Sequence, residues 1–291
     1  MASTKLEFTP SSPSLGAKVS GVDAKQPLHP DVIEQLAEAI LTYKVIFIPD
    51  QHLSRSQQQA FANCFAPPYS SSDLPASDID EEGLAGLTVV SHFHSDYMFL
   101  EEQPMFAMLQ MLQLPSVGGD TMWADLVSSY EGLSDPIKEL IDPLTAVHTH
   151  PDYQLDDDIM AQRYFKKYGS HLSGDELKAR RHALRPKERP LVRYLPDTDR
   201  KYYFLGPQHT TAIKELTKDE SDAVLGVLFK QQLRPEFVIR YRWSIGDIAF
   251  WDHRTTLHSG VNDFGSETRR GERANIGNSR PLRAADVLAA V

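Results

Sequence analysis

Phe237-Val238-Ile239-Arg240-Tyr241-Arg242-Trp243, Ser244-Ile245-Gly246-Asp247 and Ile248-Ala249-Phe250-Trp251 run on without a gap, and a further strand-like stretch ends at His258. The first run alternates apolar and polar side chains, the period of a strand with one buried face. The second holds the glycine and aspartate of a tight turn, and the third reads as the hairpin partner of the first. Outward from this block, Val45-Ile46-Phe47-Ile48, closed by Pro49-Asp50, is the short apolar run of a buried central strand. Phe106 to Leu114 reads as a core strand with Met108 and Met111 as packing residues, and Leu144 to His150 resumes strand character. Leu191 to Tyr194 and Lys201 to Leu205 flank the turn Pro196-Asp197-Thr198-Asp199. Ala17 to Val22 begins the first strand.

Helices fall between these strands. Ile33, Leu36, Ala37 and Ile40 recur at helical spacing after Pro30, with Asp31 and Glu34 suited to the positive helix end. Ser54 with Gln57 forms a capping box for a helix whose inward face is Phe61, Cys64 and Phe65; Thr217 with Glu220 opens another through Val224, Leu228 and Phe229. Leu126 to Leu133 and Pro136 to Ile141 read as short helices. Residues 152 to 190, the most polar section, read as a largely helical insertion with a solvated charged face. Two strand clusters separated by this insertion predict a mainly β, α+β fold: a double-stranded β-helix, or jelly roll, with flanking helices. Residues 1–14 are expected to be a flexible end, broken by Pro10 and Pro13, and residues 15–291 a single domain.

The 291 residues include 40 acidic and 30 basic side chains, for a net charge of -10, which argues against a nucleic-acid partner. One cysteine, Cys64, excludes an internal disulfide or a thiolate-rich metal site and suits a reducing compartment. No charged segment followed by an apolar run opens the chain, and no stretch has the length of a membrane span. A soluble, cytoplasmic protein is expected, with no membrane partner and with homo-oligomerisation left open. Between Ala66 and Gly86 the composition shifts to Pro, Ser and Asp; a lid and a solvated surface loop are both compatible with it.

The chemistry gathers at Phe93-His94-Ser95-Asp96-Tyr97-Met98-Phe99. Read as a strand, it sends His94 and Asp96 out by one face while Ser95 looks away. With His258 folded onto the same point, two histidines and one carboxylate form the facial set that holds non-haem Fe(II) and leaves positions open. A zinc hydrolase could use the same three ligands, and a metal-free binding module could use the same strands. His148-Thr149-His150 repeats the i, i+2 spacing and raises a second metal pair. An Fe(II) site of this type needs a two-electron reductant, which a 2-oxo acid supplies by losing carbon dioxide. Its far carboxylate calls for a planar, permanently charged partner, and Arg269 or Arg270 is placed to be it.

These residues, taken with Gly16 to Asp23, Val45 to Gln51, Gly118-Gly119-Asp120-Thr121, Arg189 to Arg193 and Ile248 to Asp252, resemble the taurine dioxygenase-like (TauD/TfdA) family of Fe(II)/2-oxoglutarate oxygenases. The resemblance covers nearly the whole chain. It implies an oxidoreductase in which His94, Asp96 and His258 bind iron and Thr121 and Arg269 hold the far carboxylate of 2-oxoglutarate, the cosubstrate. Arg273 would meet an anionic group of the substrate, and O2 would be consumed with release of succinate and CO2. The chain departs from the taurine enzyme where Ala66 to Ser70 has no histidine and where Val89-Val90 replaces a polar pair. His150 and His209 stand at aromatic pocket positions, and Tyr97 follows Asp96. With Phe99 these side chains would shape the substrate pocket. The expected substrate is a small organic anion of the taurine, alkyl sulfonate or sulfate kind; a carboxylate-bearing amino acid or natural-product intermediate is the alternative.

Overall fold

The computed structural model describes residues 5–71, 92–169 and 171–283. Six strands form the larger sheet, in the order β1 (Glu7–Pro10), β2 (Ala17–Ser20), β3 (Val45–Ile48), β12 (Ile248–Asp252), β4 (Gln103–Gln113) and β14 (Arg270–Ser279). Only the β2–β3 pairing is parallel. A second sheet runs β11 (Val238–Tyr241), β5 (Thr121–Asp125), β13 (Thr256–Gly260). A third joins β10 (Thr210–Ile213), β6 (Thr145–His148) and β7 (Lys187–Pro190), and β8 (Val192–Leu195) pairs with β9 (Arg200–Tyr203).

Side-chain parity explains the layering. Successive residues of a strand face opposite ways, so Ile46, Ile48, Ile248 and Phe250 pack with Leu36, Ile40 and Phe61 of α1 (Pro30–Tyr43) and α2 (Arg55–Ala62). Their neighbours Val45, Phe47, Ala249 and Trp251 face the second sheet, against Trp123, Ile239 and Tyr241. Phe47 stacks on Tyr241 with ring centroids 3.9 Å apart, and Trp251 meets Trp123 edge-on at 5.8 Å. A strand apolar on both faces must lie inside a sheet, which is where β3 and β12 are. The result is the mainly β, jelly-roll type of architecture with helices on its outer face.

Four expectations are corrected. Val238–Tyr241 and Ile248–Asp252 are not hairpin partners: the first pairs with β5 and the second with β3 and β4. Tyr241, Trp243 and Trp251 fill one inter-sheet core from opposite sides, which requires the chain to turn a corner between sheets. Asp247 fixes that corner by accepting from the Tyr241 hydroxyl at 2.8 Å and the Ser244 amide at 2.9 Å. Gly246 (φ 86°) lies against His52, where a Cβ would come within 2.6 Å of the ring. Residues 7–10 fall in the stretch expected to be flexible, yet they pair with β2, because Leu6 is buried and Phe8 stacks on Tyr43. Cys64 is exposed rather than packed in the core, because α2 ends at Ala62 and the chain leaves the helical stripe. The fourth concerns the metal-binding stretch, below.

The remaining helices are α3 (Leu126–Glu131), α4 (Asp135–Ile141), α5 (Asp157–Tyr168), α6 (Gly174–Ala183) and α7 (Lys218–Gln232). The capping boxes at Ser54 and Thr217 are formed as expected. In the polar 152–190 section, Arg181 of α6 donates from Nε to Asp157 at the start of α5 at 3.1 Å and to the carbonyls of Tyr153 and Leu155 in the turn before it, both at 2.6 Å. That section also supplies Met160, Ala183 and Leu184 to a cluster with Phe99 and Leu100, so it packs against the stretch that follows Asp96. Val89, Val90 and most of the 66–86 loop lie outside the described residues. No helix among the described residues is long and apolar enough to cross a membrane.

Candidate metal centre

His94 and His258 face each other across an isolated antiparallel bridge. The His94 amide donates to the His258 carbonyl at 3.0 Å and the reverse bond is 2.8 Å. The expected strand over residues 93–99 is therefore only a bridge at His94; Asp96 to Phe99 turn, with Tyr97 left-handed at φ 55°. The bridge sets the imidazoles side by side, centroids 4.3 Å apart, and the turn brings the carboxylate back to them. Asp96 Oδ1 lies 3.4 Å from His94 Nε2 and 3.8 Å from His258 Nε2. The three ligand atoms fall within 4.8 Å of one another, the only group of three or more such residues found among the described residues.

The donor set fits a divalent metal. His94 Nδ1 lies 2.8 Å from the His92 carbonyl, so the proton belongs on Nδ1 and the Nε2 lone pair faces Asp96. Both ring nitrogens of His258 are buried without a hydrogen-bond partner. A buried imidazole nitrogen left unpaired costs free energy, and a metal ligated at Nε2 would satisfy it. Burial and the neighbouring His94 push His258 well below the ordinary imidazole range, which keeps it neutral. Burial alone would raise Asp96, but the positive charge of Arg273, donating to Oδ2, holds it well below the usual carboxylate range.

The His148–His150 pair does not build a second site. His148 is buried in β6 with Nδ1 3.1 Å from the Thr210 hydroxyl, while His150 caps a short turn by accepting from the Asp152 amide at 3.0 Å.

Two arginines approach the centre. Arg269 donates from Nε to the Gly119 carbonyl at 2.6 Å and from Nη2 to the Thr121 hydroxyl oxygen at 2.9 Å. Thr121 also accepts from Trp243 Nε1 at 3.0 Å, so with its lone pairs engaged the hydroxyl is left as a donor. Gly119 (φ 75°) permits this approach, since a Cβ there would lie 3.1 Å from Arg269 Cδ. Burial, and then repulsion from Arg273, lowers the Arg269 guanidinium to about 10. Arg270 is exposed at the start of β14. Arg273 donates from Nη1 to Asp96 Oδ2 at 2.6 Å.

The expected pocket residues form one aromatic chain. Tyr97 is 6.3 Å from Phe99, which meets His150 at 4.6 Å and His209 at 5.1 Å between centroids. The chain starts at Tyr97, the residue after Asp96, and burial, then the nearby His94, lowers His209 to about 4. Reading the sequence missed Tyr69, which is buried with its ring 5.4 Å from Tyr97. It also missed His253, fully buried, with Nε2 3.5 Å from Asp96 Oδ2 and 3.4 Å from Asn275 Oδ1. The only available signal was that His253 sits in the same stretch as His258; nothing local distinguishes it from other histidines.

A family model described as "Taurine catabolism dioxygenase TauD, TfdA family" matches residues 7–275. An alpha-ketoglutarate-dependent sulfate ester dioxygenase of Pseudomonas putida is 30% identical over 289 residues, covering 96% of this chain and 91% of its own. An alpha-ketoglutarate-dependent 2,4-dichlorophenoxyacetate dioxygenase of Cupriavidus pinatubonensis is 28% identical over 302 residues, covering 96% of each. The crystal structure of a taurine dioxygenase from Burkholderia xenovorans superposes with a TM-score of 0.77 at 27% identity, covering 97% of this chain and 94% of that one.

Proposed function

The chain belongs to the TauD, TfdA family of dioxygenases, and from that premise we propose how its residues divide the work of an Fe(II)/2-oxoglutarate-dependent hydroxylation of a small anionic substrate. The observation that carries the reading is the buried His94, Asp96 and His258 set, with one imidazole otherwise unsatisfied and the carboxylate held ionised. Fe(II) bound there supplies, with 2-oxoglutarate and O2, the oxidising power to hydroxylate a C–H bond, with succinate and CO2 as co-products. Arg269 and the Thr121 hydroxyl present converging donors to the far carboxylate of 2-oxoglutarate, a match of planar donors to a planar anion. Arg273 anchors the anionic group of the substrate, while Tyr97, Phe99, His150, His209 and Tyr69 enclose the rest and hold the target carbon in place.

A sulfate ester or alkyl sulfonate is the substrate class favoured here, supported by the 30% identity to the sulfate ester dioxygenase over nearly the whole chain. A zinc hydrolase would leave Thr121 and Arg269 without a role. Anaerobic titration with Fe(II) and 2-oxoglutarate is expected to raise a visible metal-to-ligand band that His94→Ala abolishes. No band in the intact protein, or a band surviving in His94→Ala, would sink the assignment. Succinate release above the uncoupled background, scored across sulfonates, sulfate esters and carboxylates, tests the substrate class; a preference for carboxylates would overturn it.

A further inference from the structure

Asp96 is divided between two sets of neighbours. Its Oδ1 faces the imidazoles of His94 and His258, at 3.4 and 3.8 Å. Its Oδ2 faces away, toward Arg273 Nη1 at 2.6 Å and His253 Nε2 at 3.5 Å. A carboxylate can bind a metal through one oxygen or both, and in a six-coordinate facial site a second oxygen would occupy a position the cosubstrates need. We propose that His253 is a positioning residue that, with Arg273, retains Oδ2 and so makes Asp96 a ligand through Oδ1 alone. The inference rests on the reading of His94, Asp96 and His258 as metal ligands.

The surroundings of His253 suit that role. Its side chain is fully buried and stands beside Trp251 at 5.5 Å, so neither solvent nor substrate competes for it. Its Nδ1 is 3.2 Å from the hydroxyl of Ser95, the residue between the two ligands, so the imidazole grips the ligand stretch from behind. Its Nε2 lies between two oxygens, Asn275 Oδ1 and Asp96 Oδ2. A proton on Nε2 serves Asn275 Oδ1, the hydrogen-bond acceptor at 3.4 Å, and lies beside Asp96 Oδ2, which is 3.5 Å from the same nitrogen. The one hydroxyl proton of Ser95 is then shared between Nδ1, at 3.2 Å, and the His253 carbonyl, at 3.0 Å. Arg273, by contrast, keeps 23% of its side-chain surface exposed and is the group proposed to meet the substrate's anion. When Arg273 turns toward that anion, His253 is the hold on Oδ2 that persists.

Anaerobic titration with Co(II), read by its d–d spectrum, tests this with two variants. His253→Gln places an amide nitrogen near the position of Nε2, whereas His253→Asn reaches only the position of Nδ1. His253→Gln is expected to bind within about threefold of the parent with an unchanged spectrum, and His253→Asn about 10- to 100-fold more weakly with a spectrum shifted toward higher coordination. Parental affinity and spectrum in His253→Asn would overturn the proposal. So would equal impairment of both variants, which would mark a purely structural histidine. His94→Ala separates the two levels: Co(II) binding that survives it overturns the metal-site reading itself.

Discussion

Arg269 and Arg270 are adjacent in the chain and opposite in environment. One is half-buried against Thr121 and the other is exposed. Removing a charge-assisted pair costs about 1.5–3 kcal/mol, so Arg269→Ala should raise the KM for 2-oxoglutarate about 10- to 100-fold. Arg270→Ala should leave it near the parental value, and steady-state kinetics on the two variants would show the reverse if the assignment were wrong. A second outcome concerns protons. His209 and His253 are lowered from 6.5 to about 4, chiefly by burial. Between those limits the unfolded chain binds protons that the folded state refuses, so stability falls as pH drops from about 6.5 toward 4, by at most about 1.4 kcal/mol per unit for each group. Urea unfolding of chelator-treated protein at pH 7.5, 6 and 5 measures this; constant or rising stability toward pH 5 would contradict it. At this scale the three ligands were legible because few residue types bind Fe(II). Ser95 and His253 were not, because 158 residues separate them and only the fold brings them together.

Phe250 and Trp251 show what one strand can do with neighbouring positions. Phe250 packs against Phe61, Phe65 and Phe106 on the helix side. Trp251 faces the inter-sheet core, its ring 5.2 Å from His258. Phe250→Ala should cost about 3–5 kcal/mol of stability and leave Co(II) affinity unchanged, as thermal melts and titration of the same preparation would show. A loss of affinity at temperatures where the variant is folded would mean the two faces of β12 are coupled. Apolar runs identified β3 and β12 as interior strands. Alternation in Val238–Tyr241 identified a buried face but not a neighbour, which is why its pairing with β5 was not read. The bridge and turn at 92–99 were hidden for another reason: a left-handed tyrosine runs against local preference, so no local signal announces it.

In the whole molecule, ligands 162 residues apart, Asp96 and His258, meet only in the folded chain. Anything that binds this assembled state and not the unfolded chain shifts folding by mass action, by about 2.7 kcal/mol at a hundredfold excess over Kd. Mn(II) with 2-oxoglutarate should therefore raise the Tm by several degrees over chelator-treated protein, and His94→Ala should cancel most of the gain. Scanning calorimetry would refute this if both proteins responded alike. The mainly β architecture could be read from strand clusters; the turn between sheets at 244–247 could not, since it depends on which core the tryptophans share.

The bridge between His94 and His258 has one more consequence. β13 is the last strand of its sheet, and an uncovered strand margin is a template on which another chain can add itself. The His94 backbone occupies the N–H and C=O of His258 at that margin. Two hydrogen bonds thus set the two imidazoles side by side and also occupy the backbone groups through which another strand would pair at His258.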